Sequence, residues 1–244
     1  MPSTVSTPTP RQALVTGATS GIGRATALQL AREGFDVIVH GRDAARGADT
    51  VRDIERLGAK ASFFAAELGL VDDVRRLAEQ AGEVDVLVNN GGFAWFGPTA
   101  DLSVEKFDEL FANNVRAAYF LVAALAPRMA ARGRGSIINI DSMAGKVGLA
   151  GGAAYSATKA ALSALTRAWA AEFSPSGVRV NAVAPGPVYT ASDASRIKAL
   201  GDTTALKRAA QPEEIAELIA FLATDRASYI TGATLAADGG RTAI

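Results

Sequence analysis

Short runs of aliphatic and β-branched residues alternate along this chain with longer stretches whose apolar positions recur every three or four residues. The pattern predicts strands at 13–16, 36–40, 61–66, 84–88, 136–140, 178–184 and near 233–237. Between them it predicts helices at 22–32, 44–57 and 71–81, two across 103–131, and one each over about 153–173 and 212–223. Alternation of the two element types means parallel strands joined by helical crossovers, which leaves helices on both faces of one sheet. Leu87-Val88 and Ile137-Ile138 are apolar at consecutive positions, as a strand covered on both faces requires. The fold class is therefore α/β, with a single domain over residues 11–244. No internal repeat or interdomain linker interrupts it. Residues 1–10, rich in Ser, Thr and Pro, read as a flexible tail; they have neither the basic start nor the apolar core of a signal peptide.

The first strand runs into Thr16-Gly17-Ala18-Thr19-Ser20-Gly21-Ile22-Gly23, directly before a helix. Glycines here let the backbone turn tightly and approach a pyrophosphate, whose charge is met by backbone N–H groups and the positive end of the helix. In isolation such a run is an ordinary turn, but its place after the first strand of an alternating chain points to a dinucleotide. The second strand is followed by Gly41-Arg42-Asp43. A protein that binds NAD usually carries an acidic residue at this strand end, to accept hydrogen bonds from the ribose 2'-hydroxyl. None stands there, and the guanidinium of Arg42, if it is not simply a surface charge, can grip a 2'-phosphate through two parallel hydrogen bonds. The expectation is NADP(H) preferred over NAD(H). Asp43 reads as a helix N-cap, and His40 as a strand-end side chain near the adenosine.

Asn89-Asn90-Gly91-Gly92 ends the fourth strand, at the sheet edge where open α/β folds place their ligands. The aromatics that follow, Phe93, Trp95 and Phe96, either wall a partly apolar substrate site or pack over a neighbouring helix. Asn113-Asn114 interrupts a helical run with two poor helix formers, which points to a kink or a buried polar role.

The chemistry is densest between Ser142 and Lys159. Tyr155 and Lys159 are four apart in an Ala-rich stretch, so a helix puts both on one face. A cation beside a phenol favours the phenolate and lowers its pKa toward neutrality, and such a Tyr can exchange protons with an alcohol or carbonyl. Ser142, at the end of a strand, is placed to hydrogen-bond the same oxygen. Alone, the pair would be a packed ring and a surface charge; the dinucleotide signals elsewhere favour the chemical reading.

Composition narrows the alternatives. With 25 basic and 25 acidic residues and no basic cluster, nothing attracts nucleic acid or an anionic membrane. Zero Cys and a single His remove thiolate chemistry, multi-His metal centres and most Ser-His-Asp schemes. No stretch is expected to be apolar enough to span a bilayer, and a cytoplasmic protein is expected.

From about residue 11 onward the chain resembles the classical short-chain dehydrogenases/reductases, and among them the 3-oxoacyl-ACP reductases. Gly17, Gly21 and Gly23 match the family's cofactor glycines; Asn89-Asn90-Gly91 matches most of its Asn-Asn-Ala-Gly turn, with a glycine in place of the usual Ala; Asn114, Ser142, Tyr155 and Lys159 match its catalytic four. Pro185-Gly186 with Val188 and Thr190 matches the segment around the nicotinamide, and Tyr229-Ile230-Thr231-Gly232 the approach to the last strand. The resemblance implies a Rossmann-like, doubly wound sheet of about seven strands and hydride transfer between NADP(H) and a small carbonyl or secondary alcohol. It implies that Tyr155 is the general acid/base, Lys159 holds the nicotinamide ribose, Ser142 orients the substrate oxygen and Asn114 anchors a relay water. Thr19, Ser20, Ile22, Leu68, Asn90 and Gly91 would join the glycines around the cofactor. Phe93, Trp95 and Tyr189 would reach the substrate under a lid at about 191–210, where Arg196, Lys198 or Lys207 would be solvated or would meet an acidic substrate. A homo-oligomer, tetramer or dimer, would form through the helices at 103–131 and 153–173 and the last helix and strand. Three residues between Tyr155 and Lys159 favour carbonyl chemistry, since enoyl reductases of similar fold place more there. Glu67 departs from an Asp that commonly contacts adenine, and Asp141, in place of a Ser or Thr, reads as a strand-end cap. The competing class is a catalytically silent NADP(H)-binding regulator or scaffold on the same fold.

Overall fold

Seven strands, β1 (Arg11–Val15), β2 (Phe35–Gly41), β3 (Ala61–Ala65), β4 (Val86–Asn89), β5 (Gly135–Ile140), β6 (Val178–Pro185) and β7 (Thr234–Ala237), form one sheet. Their order is β3-β2-β1-β4-β5-β6-β7, with every neighbouring pair parallel. The computed structural model describes residues 11–190 and 194–244. The expected tail at 1–10 and positions 191–193 of the expected lid lie outside the described residues.

Consecutive apolar residues in the central strands feed two separate cores, which is why those strands carry no polar alternation. On one face Val15, Val39, Val88 and Ile138 pack with helices α1 (Gly21–Arg32), α2 (Ala44–Arg56) and α8 (Pro212–Ala223), through Leu30, Ile54 and Ile219 among others. On the other, Leu14, Ile38, Leu87 and Ile137 pack with α3 (Val71–Ala81), α5 (Ala117–Ala131) and α6 (Ala153–Phe173), through Leu77, Leu121 and Trp169. Each fully buried Leu or Ile contributes about 1.5–3 kcal/mol relative to exposure, so the two layers carry most of the favourable term in folding. Asp43 caps α2, accepting a hydrogen bond from the backbone N–H of Arg46 at 3.1 Å.

The two helices expected across 103–131 are one continuous rod: α4 (Val104–Phe111), a π-helical turn (Ala112–Arg116) and α5. The widened turn coincides with Asn113-Asn114 and directs the Asn114 amide inward. By length and composition the rod Val104–Ala131 is long and apolar enough to cross a bilayer, contrary to the sequence expectation that no stretch would be. Its apolarity is explained by the sheet beneath it, because Leu121, Val122, Leu125, Ala126 and Met129 are all buried in the core.

Strand order reverses between β1 and β4, whose outgoing chains turn to opposite faces. The cleft that opens there, at the carboxyl ends of the strands, holds the functional side chains.

Candidate active site

The Gly-rich turn is held open by three anchors. Gly17 and Gly21 have φ of +65° and +51°, a region that disfavours any Cβ. A Cβ on Gly23 would lie 2.2 Å from the Gly17 carbonyl oxygen, so α1 can approach the turn this closely only with glycine there. Thr16 ties the turn to the end of β4: its Oγ1 accepts from the N–H of Asn90 at 2.9 Å and of Gly91 at 2.8 Å, while the Asn90 amide donates to the Thr16 carbonyl at 2.8 Å. His40 is the third anchor, 2 % exposed, with Nδ1 accepting from the Gly17 N–H at 3.2 Å and Nε2 at 3.1 Å from the Ala66 carbonyl. Burial lowers its pKa to about 4, so the ring is neutral at pH 7. Sequence reasoning placed His40 near the adenosine but missed this bracing role.

Ser20 precedes α1 without capping it through its side chain, and the first turn of α1 carries no acidic residue. Free backbone N–H groups at a helix start therefore face a cleft of about 600 Å³ lined by Gly17, Thr19, Ser20, Gly21, Ile22, Gly23, Arg42, Leu68, Asn90 and Gly91. This half of the site fits a dinucleotide's pyrophosphate and adenosine. At its far end Arg42 stands 3.6 Å from Glu67 and Arg46 also lines the wall. Arg46 was not singled out in the sequence; its position one turn into α2 is the only signal it offered.

Ile22, Asn90, Gly92, Phe93 and Thr190 line both this cleft and a second one of about 640 Å³, so the two are continuous. Ser142, Tyr155, Lys159, Pro185, Gly186 and Val188 face the second. Residues Ala154, Thr158, Lys159 and Leu162 form the buried stripe of α6, and this rotation turns Tyr155 and Lys159 toward the end of β5. Lys159 is 7 % exposed; its Nζ donates to the Ile140 carbonyl at 2.7 Å and stands 5.6 Å from the centre of the Tyr155 ring. Ser142 Oγ accepts from the Ala144 N–H at 3.2 Å, which aims the hydroxyl from the strand end.

Asn114 is buried against α6. Its Oδ1 accepts from the Phe93 N–H at 3.0 Å, and its Nδ2 donates to the Phe93 carbonyl at 2.9 Å and to Thr158 Oγ1 at 3.1 Å. It thereby clamps the β4 loop to the catalytic helix.

The electrostatics depart from the sequence expectation. Lys159 was expected to depress the Tyr155 pKa; instead burial raises it, with the hydrogen bond to Ser142 pulling it partly back and the Asp141 carboxylate adding to the rise. Lys159 itself is lowered to about 8 by burial, against the opposing pull of Asp141. The physical reason is desolvation: a phenolate and an ammonium both lose water here. Asp141 turns away from the cleft centre, its Oδ2 accepting from Ser163 Oγ at 2.5 Å. Burial raises its own pKa.

Two substrate expectations land elsewhere. Trp95 points into a separate groove with Val104, Phe107 and Ala154, and Phe96 takes its place against Tyr155, ring centres 5.6 Å apart and edge-on. A one-residue choice among three aromatics was not readable in advance. Tyr189 does not line the cleft; its N–H donates to the Ala210 carbonyl at 2.9 Å, joining β6's extension to the segment after the lid. Phe93 lies where it was expected, at the junction of the two clefts.

A parallel sheet with a Gly-rich turn, a cleft at its switch point and a Ser, Tyr and Lys beyond it defines a nicotinamide-dinucleotide oxidoreductase. The comparisons agree. A family model described as enoyl-(acyl carrier protein) reductase matches residues 17–242. The cis-4-hydroxycyclohexanecarboxylate dehydrogenase of Sinomonas cyclohexanicum is 40% identical, covering 96% of this chain and 97% of that protein. Among solved structures, a short-chain dehydrogenase/reductase family protein is 51% identical with a TM-score of 0.89, over 96% of this chain and 98% of that one. A blue fluorescent protein from a metagenomic library, in complex with NADPH, is 34% identical with a TM-score of 0.89, over 95% and 97%. The chain belongs to the short-chain dehydrogenase/reductase family.

Proposed function

We propose that this oxidoreductase interconverts a carbonyl and a secondary alcohol with NADP(H), using Tyr155 as general acid and base. The observation that carries the reading is the meeting of Ser142, Tyr155 and Lys159 on one wall of a cleft continuous with the Gly-rich turn. When bound, the nicotinamide supplies hydride in reduction or accepts it in oxidation. Ser142 holds the substrate oxygen by hydrogen bond, and Tyr155 gives that oxygen a proton in reduction or takes it in oxidation. The phenol, whose pKa burial raises, is protonated at neutral pH, the form that proton donation in reduction requires. Lys159, anchored on the Ile140 carbonyl, presents a cation beside the ring and donors toward the ribose position.

Preference for NADP(H) is supported by Arg42 and Arg46 at the adenosine end of the cleft and by the lack of an acidic residue at the end of β2. Reduction of a carbon–carbon double bond, named in the matched family's description, is disfavoured by the single helical turn between Tyr155 and Lys159. Homo-oligomerisation is supported by exposed Val104, Phe107 and Tyr119 on the α4–α5 rod; sedimentation showing only monomer at micromolar concentration would refute it.

The deciding experiment pairs NADPH depletion over a carbonyl panel with the Tyr155→Phe variant. Turnover should fall by about 10³-fold or more while NADPH binding persists, since only the proton transfer is removed. Retained turnover in the variant would sink the assignment.

A further inference from the structure

Helix α7 (Ala194–Gly201) lies over the catalytic half of the cleft, and Arg196, Ile197 and Leu200 are its residues on that wall. The lid offers four cations, and the structure separates them: Arg208 pairs with Glu214 at 2.6 Å. Lys198 Nζ pairs with Asp202 at 3.1 Å, and Lys207 donates to the Asp202 carbonyl at 3.4 Å. Arg196 instead lays its guanidinium over the Phe96 ring, Cζ 5.0 Å from the centroid, and no ion pair joins it to a carboxylate among the described residues. Phe96 in turn stands edge-on to Tyr155. The guanidinium is thus one aromatic ring away from the phenol that would exchange the proton.

The cleft that both groups line carries Phe93, Phe96, Leu149, Ile197 and Leu200 beside the polar Ser142 and Thr190. The other charged groups on this wall are held at its base, Lys159 Nζ by the Ile140 carbonyl and Asp141 Oδ2 by Ser163, while Asp141 Oδ1 is buried without a partner among the described residues. A guanidinium stacked on a ring keeps its N–H edge free, and that edge matches a carboxylate bidentately. Arg196 is exposed, so water competes for this edge and the contact rests on its bidentate geometry.

We propose that Arg196 binds the carboxylate of the substrate, so that the preferred substrate is a small oxo or hydroxy acid whose apolar body separates the carboxylate from the reacting carbon. This rests on the carbonyl and alcohol chemistry proposed above and names the substrate class for it.

The test compares 4-oxocyclohexanecarboxylate with its methyl ester, using NADPH and the full chain, in wild type, Arg196→Ala and Arg196→Lys. Wild type should favour the acid in kcat/KM by about tenfold to a hundredfold, chiefly through KM, as loss of a charge-assisted pair would predict. The acid-to-ester ratio should fall to about one in Arg196→Ala and be partly restored in Arg196→Lys. A second readout does not depend on turnover: calorimetric titration of the NADP⁺-loaded protein with cyclohexanecarboxylate, whose affinity should drop about tenfold or more in Arg196→Ala. A wild-type ratio near one, or an affinity unchanged by the substitution, overturns the proposal. A preference for an acyl-phosphopantetheine thioester over the keto acid, lost in the same variant, overturns the carboxylate assignment. Carboxylate binding that depends on Arg196 with no ketone turned over would uphold the anion site and sink the oxidoreductase reading instead.

Discussion

The Nδ1 of His40 accepts the backbone N–H of Gly17, joining the end of β2 to the turn that would hold the pyrophosphate. The same ring meets the Ala66 carbonyl through Nε2, so both contacts require the neutral ring protonated on Nε2. Burial holds the folded-state pKa at about 4, below the ordinary 6.5. The unfolded chain therefore takes up the proton first as pH falls. Stability from this group is fully present above 6.5, declines between 6.5 and about 4, and is lost below that. The linked amount is about 3 kcal/mol. Urea unfolding of wild type and His40→Gln at pH 7, 5.5 and 4.5 should show a gap that narrows with acidification; a constant gap would refute the linkage.

Gly23 is where the turn has least tolerance. A Cβ there meets the Gly17 carbonyl oxygen at 2.2 Å and the Asn90 amide nitrogen at 2.4 Å, one of them backbone that cannot rotate away. Gly23→Ala should weaken NADPH binding by about tenfold or more, from a displacement costing roughly 1–3 kcal/mol. Gly148→Ala, with no atom within 4 Å of the added Cβ, serves as the control. Fluorescence titration of NADPH distinguishes the two.

Arg42 stands between two acceptors. It lies 3.6 Å from Glu67, both side chains substantially exposed, so this pair is weak. A 2'-phosphate would draw the guanidinium into a stronger bidentate contact. Arg42→Ala should cost NADPH about tenfold to a hundredfold in affinity with little change for NADH, and Glu67→Gln should tighten NADPH by removing a competing carboxylate. Parallel titrations with both cofactors test this, and equal losses for the two would show that Arg42 does not read the phosphate.

Asp141 sits behind the catalytic pair and acts on both members. Its charge raises the Tyr155 pKa and supports the ammonium of Lys159. Asp141→Asn removes that charge with its shape nearly kept. The Tyr155 pKa should fall, moving the alkaline rise of the oxidation rate to lower pH, while Lys159 drops below its present value of about 8. The pH profile of kcat/KM for alcohol oxidation measures the shift; an unmoved profile would mean that Asp141 serves only as the partner of Ser163.

The sequence by itself determined the sheet and which residues make up most of the candidate site, because both are written in local spacing. Apolar pairs such as Leu87-Val88 require cover on two faces, and Tyr155 and Lys159 share a helix face at a separation of four. Only the tertiary structure decided what depends on distant segments meeting. Which of three loop aromatics faces Tyr155, which of four lid cations faces the cleft, and why one histidine is buried were each settled by packing between elements far apart in the chain. Desolvation belongs to the same class: no spacing rule reports how much water Tyr155 and Lys159 lose, and that loss reversed the direction in which the phenol's pKa was expected to move.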